Sequence, residues 1–261
     1  MKEIAFSDIW YWLILCAVAC YFIGCFNFAV IISHFKKNDI RMIGSGNPGT
    51  MNMTRTFGLK IGVINFVLDA LKGGVPAMIG WAVFRGYVFA DFAFQHLQSW
   101  CYLGHLHGVS VSDFIRYFCG LFVIIGHIFP VTMKFKGGKG IASTLGLFVL
   151  AIPCEPEAYV WWYLPIAVVG LVLVYAYIAL TEWGSMGSLI GVSGFTIWQA
   201  GIIVARYVNN ITNPWVITLL LILLLINILT WGAHRKNIVK LLAGEEHRTS
   251  VKKHKKQKTS S

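Results

Sequence analysis

The sequence predicts an all-α integral membrane protein of about seven transmembrane helices, with the N-terminus outside and the C-terminus in the cytoplasm. Three observations carry that prediction. Hydrophobic residues make up 57% of the chain and charged residues 13%, too apolar a mixture for 261 residues to hide in one water-soluble core. The apolar residues gather into runs near 9–34, 60–84, 114–132, 140–152, 157–181, 185–205 and 214–233, most of them close to the ~20 residues that cross the hydrocarbon. Lysine and arginine are concentrated in the connections after the first and third runs and after the last, while the intervening connections carry few cations.

The first run is too long for the apolar core of a signal peptide and lacks a convincing cleavage site, so it is expected to remain as an anchor. Lys36, Lys37, Arg41, Arg55 and Lys60 follow it and mark a cytoplasmic connection. The second run carries Asp69 and Lys72, spaced to pair on one helix, and ions inside a membrane are costly enough to imply a role. Residues 85–116, with Arg85, Asp91, His96, His105, His107 and Asp113, are amphipathic at best and read as an external insertion, either a loop or an interfacial helix. The third run leads into Lys134, Lys136 and Lys139. The fourth is short and ends at Pro153-Cys154-Glu155-Pro156, which predicts a tilted or incomplete span. The remaining runs complete a single polytopic membrane domain over residues 1–240. A basic cytoplasmic tail, 241–261, carries Arg248 and the lysines between 252 and 258, and suits anionic lipid headgroups. A nucleic-acid partner is not expected. Cysteines 16, 20, 25, 101, 119 and 154 show no paired short spacing and no histidine partners, so they read as small apolar residues rather than a zinc site or disulfide framework.

Three polar clusters then fall on the cytoplasmic edge. Lys134-Phe135-Lys136-Gly137-Gly138-Lys139-Gly140 combines full positive charge with residues that let backbone N–H groups converge on one point, and the ligand most naturally cradled is a phosphate. Gly44-Ser45-Gly46-Asn47-Pro48-Gly49 offers a tight turn with a hydroxyl for an oxyanion. Asn52 and Arg55 follow three residues apart, on one face of any helix that starts there. His234-Arg235-Lys236-Asn237 lies where the last run leaves the membrane, and Gly126-His127-Ile128-Phe129-Pro130 leads into the glycine loop.

In this order the motifs resemble the bacterial acyl-phosphate:glycerol-3-phosphate acyltransferases, the PlsY family. The likeness rests on Ser45-Gly46-Asn47-Pro48-Gly49 with Asn52 and Arg55, Asp69-Ala70-Leu71-Lys72-Gly73, Gly126 to Ala142, and His234 with Asn237-Ile238 and Gly244-Glu245, and it covers nearly the whole chain. The resemblance implies a multi-pass enzyme of the cell membrane with its active site facing the cytoplasm. It would move a fatty acyl group from acyl-phosphate to the 1-hydroxyl of glycerol 3-phosphate, giving lysophosphatidic acid and phosphate, with neither a metal nor another cofactor. By the same resemblance Ser45, Gly46, Asn47, Gly137, Gly138, Lys139 and Gly140 would hold acyl-phosphate. Arg55, Lys139, Ser185, His234 and Asn237 would bind glycerol 3-phosphate, Ser185 because Trp183-Gly184-Ser185-Met186-Gly187 is similar to the family's serine turn. Catalysis would fall to Ser45, Asn47, Arg55, Lys139, His234 and Asn237. The resemblance favours a substrate phosphate as base, with His234 and His127 left as candidates. Thr50-Met51 and Ser143 depart from the family pattern and bear on the fine shape of the phosphate pocket.

Two local patterns point elsewhere. His34 and Asp39 have the spacing of a different acyltransferase class, without its other motifs, and Gly138-Lys139 lacks the following Ser or Thr of a nucleotide loop. The alternative from another class is a membrane carrier for phosphorylated solutes. Carriers place ions near the midplane on broken helices or repeats, whereas these clusters sit at one edge.

Overall fold

The computed structural model describes residues 2–89, 109–150, 152–155 and 157–245. A short strand β1 (Lys2–Ile4) leads into α1 (Phe6–Cys25), and α2 (Phe28–Phe35) continues its direction after a break at Phe26-Asn27. Asn27 makes the break orderly, because its side chain caps α2 by accepting from Val30 N at 3.0 Å. There follow α3 (Thr50–Phe57), α4 (Leu59–Val83), β2 (Tyr87–Phe89), α5 (Val111–Ile128), α6 (Ile141–Leu150), α7 (Glu157–Thr181), α8 (Gly184–Arg206), α9 (Pro214–Ala233) and α10 (Arg235–Leu242).

Among the described residues, six segments are long and apolar enough to cross a membrane: Phe6–Phe35, Leu59–Val83, Val111–Met133, Trp161–Thr181, Gly184–Arg206 and Pro214–Ala233. The least typical of the expected spans is α6, the one expected to be tilted or incomplete: its ten residues reach about 15 Å at 1.5 Å per residue, half of the ~30 Å hydrocarbon thickness. A short helix suffices there because its sides meet protein, not lipid: Ala142 to Phe148 are all buried. Beyond it the chain reaches Glu155, which joins a buried ion cluster at the end of the bundle where α5 begins.

Without a strong hydrophobic drive between helices in lipid, close backbone approach holds such bundles together. Here it is reciprocal. Gly73 and Gly74 of α4 lie against the carbonyls of Ser143 and Gly146, and Gly146 in turn lies against Ala70 O, with no space for a Cβ at any of the three. Gly24 of α1 and Gly126 of α5 interlock in the same way against Val123 O and Tyr21 O. Helix α5 is therefore the axle of the molecule, buried over nearly its whole surface, including its charged residues Asp113 and Arg116. Helix α7 is the opposite case. It packs on α8 and turns Trp161, Trp162, Leu173 and Leu180 outward.

The two ends of the expected insertion at 85–116 belong to regular elements. Tyr87–Phe89 pairs in parallel with Lys2–Ile4, and residues 111–116 are the first turns of α5. Phe89 stacks on Trp215 at a centroid distance of 3.6 Å, which ties the strand pair to the start of α9. Two of the charges in this stretch, Asp113 and Arg116, are buried. Asp113 and Arg116 are paired at 3.4 Å, Arg116 meets Glu155 at 2.5 Å, Arg206 meets Asp113 at 2.5 Å and also Glu155, and Tyr207 donates to Asp113 at 2.7 Å. Asp91, His96, Cys101, His105 and His107, together with the tail from 246 onward, lie outside the described residues.

Candidate active site

All of the expected site segments lie at one end of the bundle, opposite the ion cluster. This follows from chain direction: α5 runs from Asp113 at the cluster to His127 at the site, α8 runs from Ser185 at the site to Arg206 at the cluster, and α9 returns from Trp215 to His234.

The Ser45 turn is built around Asn52. That side chain is 1% exposed. Its amide donates to Ile40 O at 3.1 Å and Ile43 O at 2.9 Å, and its oxygen accepts from Ser45 N at 3.1 Å. Gly44 and Gly46 take φ of +64° and +68°, the left-handed region that glycine enters at little cost. A helix does start here, at Thr50, yet Asn52 points into the protein while Arg55 is exposed. Asn52 thus frames the turn and leaves Ser45 outward-facing. Asn27, which sequence reasoning missed, donates to Pro48 O at 3.2 Å and fixes the far side of the same turn; the sign was an isolated Asn in the middle of an apolar run.

The glycine loop has a different logic from the one expected. Gly137 N–H donates to Ile128 O at 3.1 Å and Gly138 N–H to His127 O at 3.0 Å, so these two amides are engaged with the end of α5 and do not converge on an anion. Glycine is required for closeness: a Cβ at 137 would collide with His127 O, and one at 138 with the His127 ring at Nε2. Gly140, at φ +80°, turns the chain into α6. The first N–H groups of a helix have no intrahelical acceptor and carry the positive end of its dipole. The feature that suits an anion is therefore the start of α6 with Lys139 before it.

His234 is the C-cap of α9, 2% exposed, with Nδ1 2.8 Å from Thr230 O. A carbonyl can only accept, so Nδ1 carries the proton and Nε2 is left as an acceptor. Burial, and secondarily the charge of Lys139, lowers its pKa from 6.5 to about 4. The ring is neutral at pH 7, and Lys139 lies within electrostatic reach of it. Across the same end Asn237 Nδ2 donates to Ser185 Oγ at 2.8 Å, joining α10 to the first turn of α8. Lys139 with His234, and Ser185 with Asn237, are thus brought together. Ser45, Gly46, Asn47 and Arg55 stand on the separate α3 frame.

His34 and Asp39 do not form a pair in which Asp39 orients His34. Asp39 is bound by Arg41, with Nη2–Oδ2 at 2.7 Å, and those hydrogen bonds hold its carboxyl at about 2.

A lipid-embedded bundle that gathers Lys, Arg, His, Ser and Asn at one end defines a polytopic membrane protein that receives a polar, anionic ligand at the bilayer surface. The family model described as glycerol-3-phosphate acyltransferase matches residues 14–244, and the chain belongs to that family. A glycerol-3-phosphate acyltransferase of Mycoplasmopsis pulmonis is 34% identical over 87% of this chain and 88% of the relative. One of Finegoldia magna is 31% identical over 90% and 95%. The crystal structure of PlsY (YgiH), an integral membrane glycerol 3-phosphate acyltransferase, in its glycerol 3-phosphate form is similar with a TM-score of 0.66 and 28% identity, covering 90% of this chain and 94% of that one. Its lysophosphatidic acid form gives 0.65 and 26% with the same coverage.

Proposed function

We propose that this protein transfers a fatty acyl group from acyl-phosphate to the 1-hydroxyl of glycerol 3-phosphate at the cytoplasmic face of the cell membrane, releasing lysophosphatidic acid and phosphate. The observation that carries the proposal is the neutral, buried His234 beside Lys139 at the end of the bundle that also holds the Ser185–Asn237 pair. Lys134, Lys136, Arg235 and Lys236 at that end support a cytoplasmic orientation.

In the reaction the acceptor hydroxyl oxygen attacks the acyl carbonyl carbon, the bond from that carbon to the phosphate oxygen breaks, and the departing phosphate carries the electron pair. Both substrates are anionic, so the first requirement is to relieve their repulsion. Lys139 and the start of α6 receive the donor phosphate, with Ser45, Gly46 and Asn47 on its other side and Gly137, Gly138 and Gly140 giving the loop its shape. Arg55, Lys139, Ser185, His234 and Asn237 receive glycerol 3-phosphate. The hydroxyl proton passes to a substrate phosphate: a phosphate monoester has a second pKa of about 6, whereas His234, held at about 4, is the weaker base. His234 orients the acceptor through Nε2. His127, 4% exposed and covered by Gly138, is not placed to meet substrate.

The test is phosphate release by the purified protein from a long-chain acyl-phosphate. Release that requires glycerol 3-phosphate and matches lysophosphatidate formation is expected. Release indifferent to the acceptor, or equal turnover with acyl-CoA, would overturn the assignment. A carrier for phosphorylated solutes would form no lysophosphatidate at all.

A further inference from the structure

Beneath the glycine loop lies a buried polar network that the reaction above does not use. Lys72 Nζ is 2.9 Å from Asp69 Oδ1 and donates to Phe26 O at 2.6 Å and Gly24 O at 3.4 Å, the carbonyls at the end of α1. A cation at a helix C-terminus is favourably placed against the dipole. Asn65, one turn earlier on α4, donates to Asp69 Oδ2 at 3.1 Å and to Thr50 Oγ1 at 3.4 Å. His127 Nδ1 faces Asp69 Oδ1 at 3.8 Å, and the other side of its ring is the surface on which Gly138 rests. The network thus touches both loops assigned to the donor phosphate: the α3 frame through Thr50 and the glycine loop through His127.

We propose that Asp69, Lys72 and His127 are positioning residues: Asp69, held by Lys72, sets the His127 ring, and that ring sets the height of the Gly137-Gly138 backbone, and so of Lys139, above the membrane core. The proposal rests on the site reading given above. Gly138 is then glycine because of His127 and not because a phosphate must approach it. Charged groups in the bilayer interior need a reason, and fixing a loop between two helix ends supplies one.

The reading is tested by a double-mutant cycle in the purified full-length protein, with initial rates against both substrates and melting temperature in the same detergent. His127→Asn keeps a polar atom toward Asp69 and vacates the space under Gly138. Gly138→Ala alone is expected to lower kcat/KM for the donor about a hundredfold, the scale of a displacement near 1 Å, but by less than about threefold when added to His127→Asn. An equal cost of Gly138→Ala in both backgrounds would overturn the proposal and leave the site reading standing. Asp69→Asn with Lys72→Met removes both charges together, which avoids stranding one of them. This pair is expected to fold, with an unchanged melting temperature, and to lose about tenfold or more in kcat/KM for the donor; wild-type kinetics in that variant also overturn it. Lys139→Ala separates the two levels, since wild-type kinetics there would remove the site reading itself and the positioning role with it.

Discussion

His234 shows how one side chain is tuned by where the chain puts it. Its hydrogen bond to Thr230 O fixes the tautomer, and burial beside Lys139 keeps it uncharged. Two consequences can be measured. Because the folded-state pKa of about 4 lies below the ordinary 6.5, the unfolded chain takes up the proton first as pH falls, so this residue withdraws stability between about pH 6.5 and 4. The melting temperature should drop over that window, and less steeply in His234→Gln. His234→Ala should also cost at least about tenfold in turnover at pH 7, since the acceptor loses its orienting group. At Asn237 the partner is Ser185. Asn237→Ala is expected to raise the apparent KM for glycerol 3-phosphate several-fold with little change in the KM for the donor. An unchanged acceptor requirement would remove both residues from the acceptor site.

Among the elements, α6 depends most on residues other than its own apolar ones. Gly146 has no room for a Cβ against Ala70, so Gly146→Val should force α4 and α6 apart. Overpacking of this kind typically costs about 1–3 kcal/mol; a lowered melting temperature and a broadened size-exclusion peak are the expected signs. The same helix marks the boundary of what can be read from sequence. Its brevity was legible from the Pro153–Pro156 break, and the Asp69–Lys72 pair from spacing alone, because both are local. The glycine loop was legible as a site but not in its workings. Gly137 and Gly138 answer to carbonyls and a ring in α5, and no spacing rule connects a glycine to the histidine it must clear. The start of α5 was hidden for a related reason. Asp113 and Arg116 look like surface residues until Glu155 and Arg206, far along the chain, are brought to them.

Across the whole molecule, charged clusters gather toward two ends, with packing and a few buried hydrogen bonds such as Tyr117–Gln199 between them. The cluster of Asp113, Arg116, Glu155 and Arg206 balances two acids with two arginines, and removing one partner leaves a buried charge uncompensated, at a cost of about 3–5 kcal/mol. Arg206→Met should therefore lower the melting temperature sharply, although the residue is at the opposite end from the site, and Arg206→Met with Asp113→Asn should recover part of the loss. Rates measured well below the melting point should change little in either. The outer position of α7 has its own consequence. With Trp161, Leu173 and Leu180 directed away from the protein, the outward face of this helix is expected to meet fluid acyl tails, which adapt to any apolar shape. A saturating substitution library should find the outward face of α7 selective for hydrophobicity alone, one aliphatic or aromatic side chain serving as well as another. In α5 the identity of nearly every residue should matter. Sequence drift in this protein is then expected to be fastest where the molecule faces lipid and slowest around the axle on which the site is mounted.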